Sequence, residues 1–223
     1  MNNAKIIAVT QPTIESEYNS FPMEVDQFIA YEARVSNPSN QNNTETSSKL
    51  LRYCIRNEHW SIFEMVHLVL EINTTRDIAR QILRHRSFSF QEFSQSYADT
   101  SQLGFTVREA RLQDNKNRQN SIETDDSDLH KTWKIKQEQL IHETKLAYKW
   151  AIENGIAKEQ ARAVLPEGLT NSRMYVNGTL RSWIHYIEVR AGNGTQKEHQ
   201  EVALECARVI AEIFPLAETL VQK

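Results

Sequence analysis

Cysteine is nearly absent from this chain, glycine and proline are sparse, and no apolar stretch is long: two Cys, six Gly and five Pro are spread through 223 residues. Each shortage removes a class of protein. Cys54 and Cys206 have no CxxC partner and no Cys or His at ligand spacing, which excludes a disulfide framework, a structural zinc site and a dithiol redox centre. Both lie at helical spacing among apolar residues, Leu50, Leu51 and Ile55 for the first and Val209, Ile210 and Ile213 for the second, and read as buried thiols. There is no Walker loop and no GxGxxG, so a Rossmann nucleotide site is not expected. No run approaches the ~20 apolar residues that a membrane span needs. The leading MNNAKIIAVTQP is too short in its apolar part and too weakly basic for a secretory signal, so a cytoplasmic protein is expected. A net charge of −3 with a pI near 6.2 speaks against a general nucleic-acid binder, and any anion site has to be a local cluster.

What is present suits a soluble globular protein with a sizeable core: 39% of residues are hydrophobic and 25% charged. KIIAVT (5–10) reads as a strand ended by Gln11-Pro12, followed by a helix from Met23 to Val35, a polar loop over 36–48 and a second helix from Thr46 to Asn57. From Met65 to Asn73 the pattern alternates, with Val66, Leu68, Leu70 and Ile72 on one side and His67, Glu71 and Asn73 on the other, which predicts a half-buried strand. Thr74 or Thr75 caps a helix that carries Ile78, Ile82 and Leu83. Residues 98–128 are polar and poorly periodic and read as an excursion from the body.

Asp128 then caps a long helix to Asn154, with Trp133, Gln137, Leu140, Ile141, Thr144, Ala147, Tyr148 and Ala151 along one face and Asn154-Gly155 as its left-handed end. A short helix from Lys158 stops before Pro166, and Met174–Asn177 reads as strand. Leu180, Trp183, Ile184 and Ile187 mark a core-facing helix over 179–190, and a turn with Gly192 and Gly194 precedes a last helix, 196–214. Helices dominate with a few strands between, so the class is α+β in one domain, 1–223.

The stretch RHRSFSFQEFSQSY, Arg84 to Tyr97, concentrates three potential cations, one carboxylate (Glu92), four serines and three phenylalanines. A core could not bury that mixture without partners. Arg and His at a helix C-terminus also follow from the helix dipole alone, so termination and ligand binding are both open for the triplet itself. Phe88, Phe90 and Phe93 would anchor the segment while the guanidinium forks of Arg84 and Arg86 offer paired, coplanar donors to a phosphate or a planar carbonyl. Further along, Arg181 and Arg190 are nine positions apart, two and a half helical turns, and fall on opposite faces. They serve different ligands, or one is a surface charge. His59, His85 and His185 lack nearby partners at ligand spacing, so no metal is assigned.

With these residues in place, the chain resembles the flavin-dependent thymidylate synthases. Their signature R-H-R-x-x-S-x-N-x-x-S-x-R-Y is matched at Arg84, His85, Arg86, Ser89, Ser94 and Tyr97, with Glu92 in its usual position. His59, Ser61, Phe63 and Glu64 match an earlier family stretch, Ala79-Arg80-Gln81 another, and Glu159, Ala161, Arg162, Leu165 and Pro166 a third; Arg190, Gln196 and Glu198 follow in order.

The resemblance implies a helix-rich domain around a small, mostly antiparallel sheet, a homotetramer with shared active sites, and FAD as cofactor. The implied reaction is reductive methylation of dUMP to dTMP with methylenetetrahydrofolate as carbon donor and NADPH as reductant. No nucleic-acid or membrane partner is implied. It assigns Arg190 to catalysis, stabilising a uracil deprotonated at N3. Gln81, Ile82, Leu83, Arg84, Glu92, Phe93, Ser94, Gln95, Ser96, Arg162 and Arg190 fall at nucleotide-binding positions, Arg162 from a neighbouring subunit. Ser61, Arg84, His85, Arg86, Glu92, Thr179, Leu180, Arg181 and His185 fall at flavin-binding positions, and His59 lies near the folate. Classical thymidylate synthases attack uracil with a cysteine, which neither apolar-set thiol here offers; a reduced flavin carries the difficult step instead.

Three positions depart from the pattern: Gln91 stands for Asn, Ser96 for Arg and Thr179 for Asn. The loss of an Arg at 96 removes one charge-assisted hydrogen bond, worth roughly 1.5–3 kcal/mol, and predicts about tenfold to a hundredfold weaker dUMP binding. The alternative to a divergent active enzyme is a non-catalytic flavin- or nucleotide-binding homologue weakened by Ser96 and Gln91. An RNA-binding module conflicts with the acidic pI.

Overall fold

The frame of the molecule is a four-stranded antiparallel sheet in the order β1-β4-β8-β5, seen in a computed structural model that describes residues 2–16, 19–99 and 102–217. Residues 100–101 of the polar excursion lie outside the described residues. β1 (Asn3–Val9) lines one edge, and a small hairpin of β2 (Glu15–Ser16) and β3 (Asn19–Pro22) follows it. Helices α1 (Val25–Ala33) and α2 (Ser47–Arg56) pack on each other. The central strand β4 (His67–Thr75) runs straight into α3 (Arg76–Ile82), which has Thr75, not Thr74, at its N-cap position.

β4 starts and ends two residues later than the sequence expectation, keeps the expected alternation, and is more than half buried. Leu68, Leu70 and Ile72 are fully buried, and they pair across the sheet with Gly178, Val176 and Met174 of β8 (Asn171–Thr179), so the apolar positions of both strands share one face. Glu71, expected in solvent, is also buried, because Asn73 donates to it and Arg173 and Lys5 each come within 3.7 Å. Against the apolar face pack α3, α6 (Leu180–Arg190) and α7 (Lys197–Ala211), the last two crossing with Trp183, Ile187, Val202 and Cys206 wholly buried. Both cysteines are buried free thiols.

Strand β5 (Ser89–Glu92), within the RHR segment, is absent from the sequence reading. It forms the sheet's other edge, pairing Ser89 with Asn177 and Glu92 with Met174. The polar excursion is not loose: it holds a hairpin, β6 (Arg111–Gln113) with β7 (Ser121–Glu123), strapped to α7 by Arg111–Glu198 and by Lys197 to Glu109 and Glu123.

The long helix α4 (Ser127–Glu153) is capped by Asp126, whose carboxylate accepts the Leu129 amide at 2.9 Å, and not by Asp128, which sits in the first turn where a negative charge suits the helix dipole. Only Gln137, Thr144, Tyr148 and Ala151 of its expected face are buried; Trp133 and Leu140 are exposed, because α4 meets the body along one narrow stripe closed by Ala161 of α5 (Lys158–Ala161) and by Leu165. No helix among the described residues is long and apolar enough to cross a membrane.

Candidate active site

α3 ends in a pair of turns, the His85 amide bonding the Ile82 carbonyl and the Phe88 amide the His85 carbonyl, so that the chain reverses from helix into edge strand within six residues, 83–88. In this reversal Arg84 and Arg86 are exposed while His85 turns inward. Phe88 fastens the turn: it is buried, its ring centre 4.5 Å from that of Trp183, and it lies so close to Gly178 that a Cβ there would meet its ring at 2.2 Å.

His85 meets α6. Its ring stands edge-on to Tyr186 with centroids 5.0 Å apart, and Arg190 Nε donates to His85 Nε2 at 2.9 Å. An acceptor at Nε2 places the imidazole proton on Nδ1. Burial, reinforced by the Arg190 charge, pushes the His85 pKa down to about 4, so the ring is neutral at physiological pH. A neutral acceptor on Nε leaves the guanidinium its charge and, among the described residues, its paired Nη donors.

Behind this pair lies a polar chain. His199 is fully buried, 3.1 Å from Gln81 Oε1 through Nδ1 and 3.1 Å from Tyr186 Oη through Nε2. Burial, then the charge of Arg190, hold its pKa near 3. Gln81 continues to Gln196 at 2.9 Å and Gln196 to Glu198 at 3.0 Å. His199 and Tyr186 were not singled out from the sequence. Spacing gave a signal for Gln81, Gln196 and Glu198, but nothing local marks which buried ring will face them.

The expected residues fall into three groups. His85 and Arg190 meet directly, and Gln81 is joined to them through His199 and Tyr186. Ser61, Arg181 and His185 form a second group: Ser61 is exposed on the 3₁₀ turn Ser61–Glu64, Glu64 accepts from Arg181 at 2.7 Å, and the Trp60 and His185 rings stand edge to face at 4.6 Å. Thr179 caps α6, accepting the Ser182 amide, and His59 beside this group is exposed. Arg181 and Arg190 thus serve opposite sides of α6, as their spacing demanded.

The third group continues the motif along β5. Glu92 accepts from Arg76 at 3.1 Å and Ser172 at 2.7 Å, neither of them expected from the sequence, and Ser94 and Ser96 hydroxyls pair at 3.0 Å. Gln95 is buried with its Nε2 unpartnered among the described residues, and Phe93 is half-buried. Arg162 is exposed and joins nothing in this cluster, although Lys158, one turn before it, donates to the Tyr97 carbonyl. Ile82 and Leu180 are core residues, and the Leu180 amide is taken by Val66, so their side chains are closed to a ligand; Leu83 is exposed.

Four arginines of these groups reach the surface, Arg84 and Arg86 exposed and Arg181 and Arg190 half-buried. The cavity of about 490 Å³ lined by Phe105, Tyr148, Ile152 and Leu165 lies apart from them, under α4. Among the described residues no group of His, Cys, Asp or Glu is arranged to hold a metal ion. The donor set does fit a flavin nucleotide: exposed Arg84 and Arg86 and the Glu64-held Arg181 supply cations, Ser61 a hydroxyl, and the Trp60–His185 pair flat faces.

Comparison with known proteins agrees. A family model described as thymidylate synthase complementing protein matches residues 20–216. The chain is 49% identical over 213 residues to a probable flavin-dependent thymidylate synthase of Paramecium bursaria Chlorella virus 1, covering 96% of this chain and 95% of that one. To a flavin-dependent thymidylate synthase of Synechocystis sp. it is 46% identical over 213 residues, 96% of each chain. Its fold is similar to that of a UMP/dUMP methylase, PolB, from Streptomyces cacaoi, solved with 5-Br dUMP, at a TM-score of 0.81 and 22% identity over 100% of this chain and 95% of that one. Signature, fold and near full-length relatives converge, and the chain belongs to the flavin-dependent thymidylate synthase family.

Proposed function

We propose that the protein converts dUMP to dTMP, taking the carbon from methylenetetrahydrofolate and the reducing equivalents from NADPH through FAD, in an oligomer of four chains. The observation that carries this is the Arg190–His85 pair: a guanidinium held at 2.9 Å by a neutral imidazole, on the face of α6 away from Arg181. When bound, FAD supplies the two-electron reduction that a cysteine-free route requires. The protein's residues do the rest. Arg190 places its charge beside N3 of the uracil and favours the N3-deprotonated ring, which makes C5 the better nucleophile; a fixed cation at a developing anion is a large electrostatic term. His85 holds Nε, so that the Nη face is presented in one orientation, and Gln81 contributes an amide to the same base.

Ser94, Ser96 and Gln95, whose buried Nε2 has no partner among the described residues, sit where nucleotide contacts are expected. Arg84, Arg86, Ser61, Thr179, Arg181 and His185 hold the cofactor, with His59 on the folate side. The apolar side chains left exposed on α4, among them Leu140, Leu146 and Trp150, support burial against other subunits, and Arg162, free of its own chain's cluster, completes a neighbour's site. The test is formation of dTMP from dUMP by the purified chain with methylenetetrahydrofolate, NADPH and FAD; no product from a protein loaded with FAD would overturn the reading.

A further inference from the structure

The hydrogen-bonded row from Tyr186 to Glu198, buried at Tyr186 and His199 and half-buried at Gln81, Gln196 and Glu198, admits a single polarity. Burial alone would raise the Glu198 carboxyl, but the hydrogen bond from Arg111 and the nearby Arg108, 3.6 Å from Oε2, hold it below the ordinary carboxylate range. Arg108 also pairs with Asp77 at 2.7 Å, yet Arg108 Nε and Arg111 Nη1 are buried with no acceptor among the described residues, so cationic donors remain and the carboxylate stays ionised. An ionised carboxylate only accepts. Gln196 must therefore turn Nε2 toward it and Oε1 toward Gln81. Gln81 must then donate through Nε2 to Gln196 and accept through Oε1 from His199 Nδ1–H, leaving His199 Nε2 to accept from the Tyr186 hydroxyl. Either amide or the imidazole could reverse on its own; the charge at one end of the row removes that freedom.

We propose that Glu198, kept ionised by Arg108 and Arg111, is a positioning residue that fixes which donor and acceptor the Gln81 amide offers to the nucleotide. With one Nε2 proton committed to Gln196 and one Oε1 lone pair committed to His199, Gln81 has one of each left, at assigned ends. A reversed amide would present the opposite pattern and leave polar groups of the base unpaired. The excursion 98–128 acquires a role on the same terms: it delivers Arg108 and Arg111 to α7. The nucleotide step rests on the proposed function; the polarity of the row does not.

Two variants in the FAD-loaded enzyme test this. Glu198→Gln removes the fixed acceptor, and Gln196→Met cuts the row while leaving the Glu198–Arg111 pair intact, which keeps the test available if the first variant folds poorly. Both should raise KM for dUMP roughly three- to tenfold with kcat unchanged. In parallel, ¹⁵N spectra of the histidine-labelled wild-type protein should show His199 protonated at Nδ1 and bare at Nε2, with Glu198→Gln giving both tautomers. A wild-type proton on Nε2, or an unchanged KM in both variants beside a lowered melting temperature, would overturn the proposal. The tautomer is read without substrate, so absence of wild-type turnover would count against the function and leave the polarity to be judged by the spectrum.

Discussion

Two histidines in this site work by staying neutral. Both His85 and His199 have pKa values pressed below that of a free imidazole, to about 4 and about 3, burial acting first. The unfolded chain binds protons at these positions near pH 6.5 and the folded one does not, so their stabilising contribution is complete above that pH and declines as pH falls toward 4. For His199 alone, the more buried, the loss between pH 7 and pH 5 should be roughly 2 kcal/mol, in a window above the ordinary carboxylate range. Urea unfolding at those two pH values measures it, and equal stabilities would refute the buried neutral ring. Ser96 makes the second residue-scale prediction. Its hydroxyl meets only Ser94 among the described residues, where relatives of the signature carry Arg. Ser96→Arg should lower KM for dUMP by about tenfold, one charge-assisted bond gained, and an unchanged or raised KM would dismiss the assigned contact.

At the scale of elements, β5 turns the RHR segment into part of the sheet, and the packing of Phe88 onto Gly178 and Trp183 sets how deeply His85 is seated. Gly178→Ala should displace Phe88, cost about 1–3 kcal/mol in unfolding free energy and depress turnover with it, measurable by denaturant titration beside steady-state kinetics; full stability would mean the turn is not clamped there. Much of this was legible. Alternation marked β4, the spacing of Leu180, Trp183, Ile184 and Ile187 marked α6, and the nine-residue gap separated Arg181 from Arg190.

β5 is not legible in the sequence although Phe88 and Phe90 alternate with serines, because phenylalanines beside cations and hydroxyls read equally as anchors of a binding segment and four residues are too few for periodicity to stand out. The cap of α4 shifted from Asp128 to Asp126 because every acid in that run is a plausible cap until backbone geometry selects one. The His199–Tyr186 contact joins two helices, and no periodicity within either one announces it.

On the scale of the whole molecule, a single chain leaves Arg84, Arg86 and Arg162 exposed and its longest helix half-covered, features that the proposed assembly would bury. If Arg162 reaches into a neighbour's site, co-expressed Arg162→Ala and Arg190→Ala chains should regain part of the activity that each lacks alone, since some mixed sites draw both arginines from intact sources; no recovery would place Arg162 in its own chain's site. The most direct measurement compares dTMP formation from dUMP, with methylenetetrahydrofolate, NADPH and FAD, by the native protein and by Arg190→Ala. Product from the first and none from the second, with FAD retained in both, is the predicted result. Equal product from both would contradict the role of Arg190, and product from neither would contradict the reaction itself.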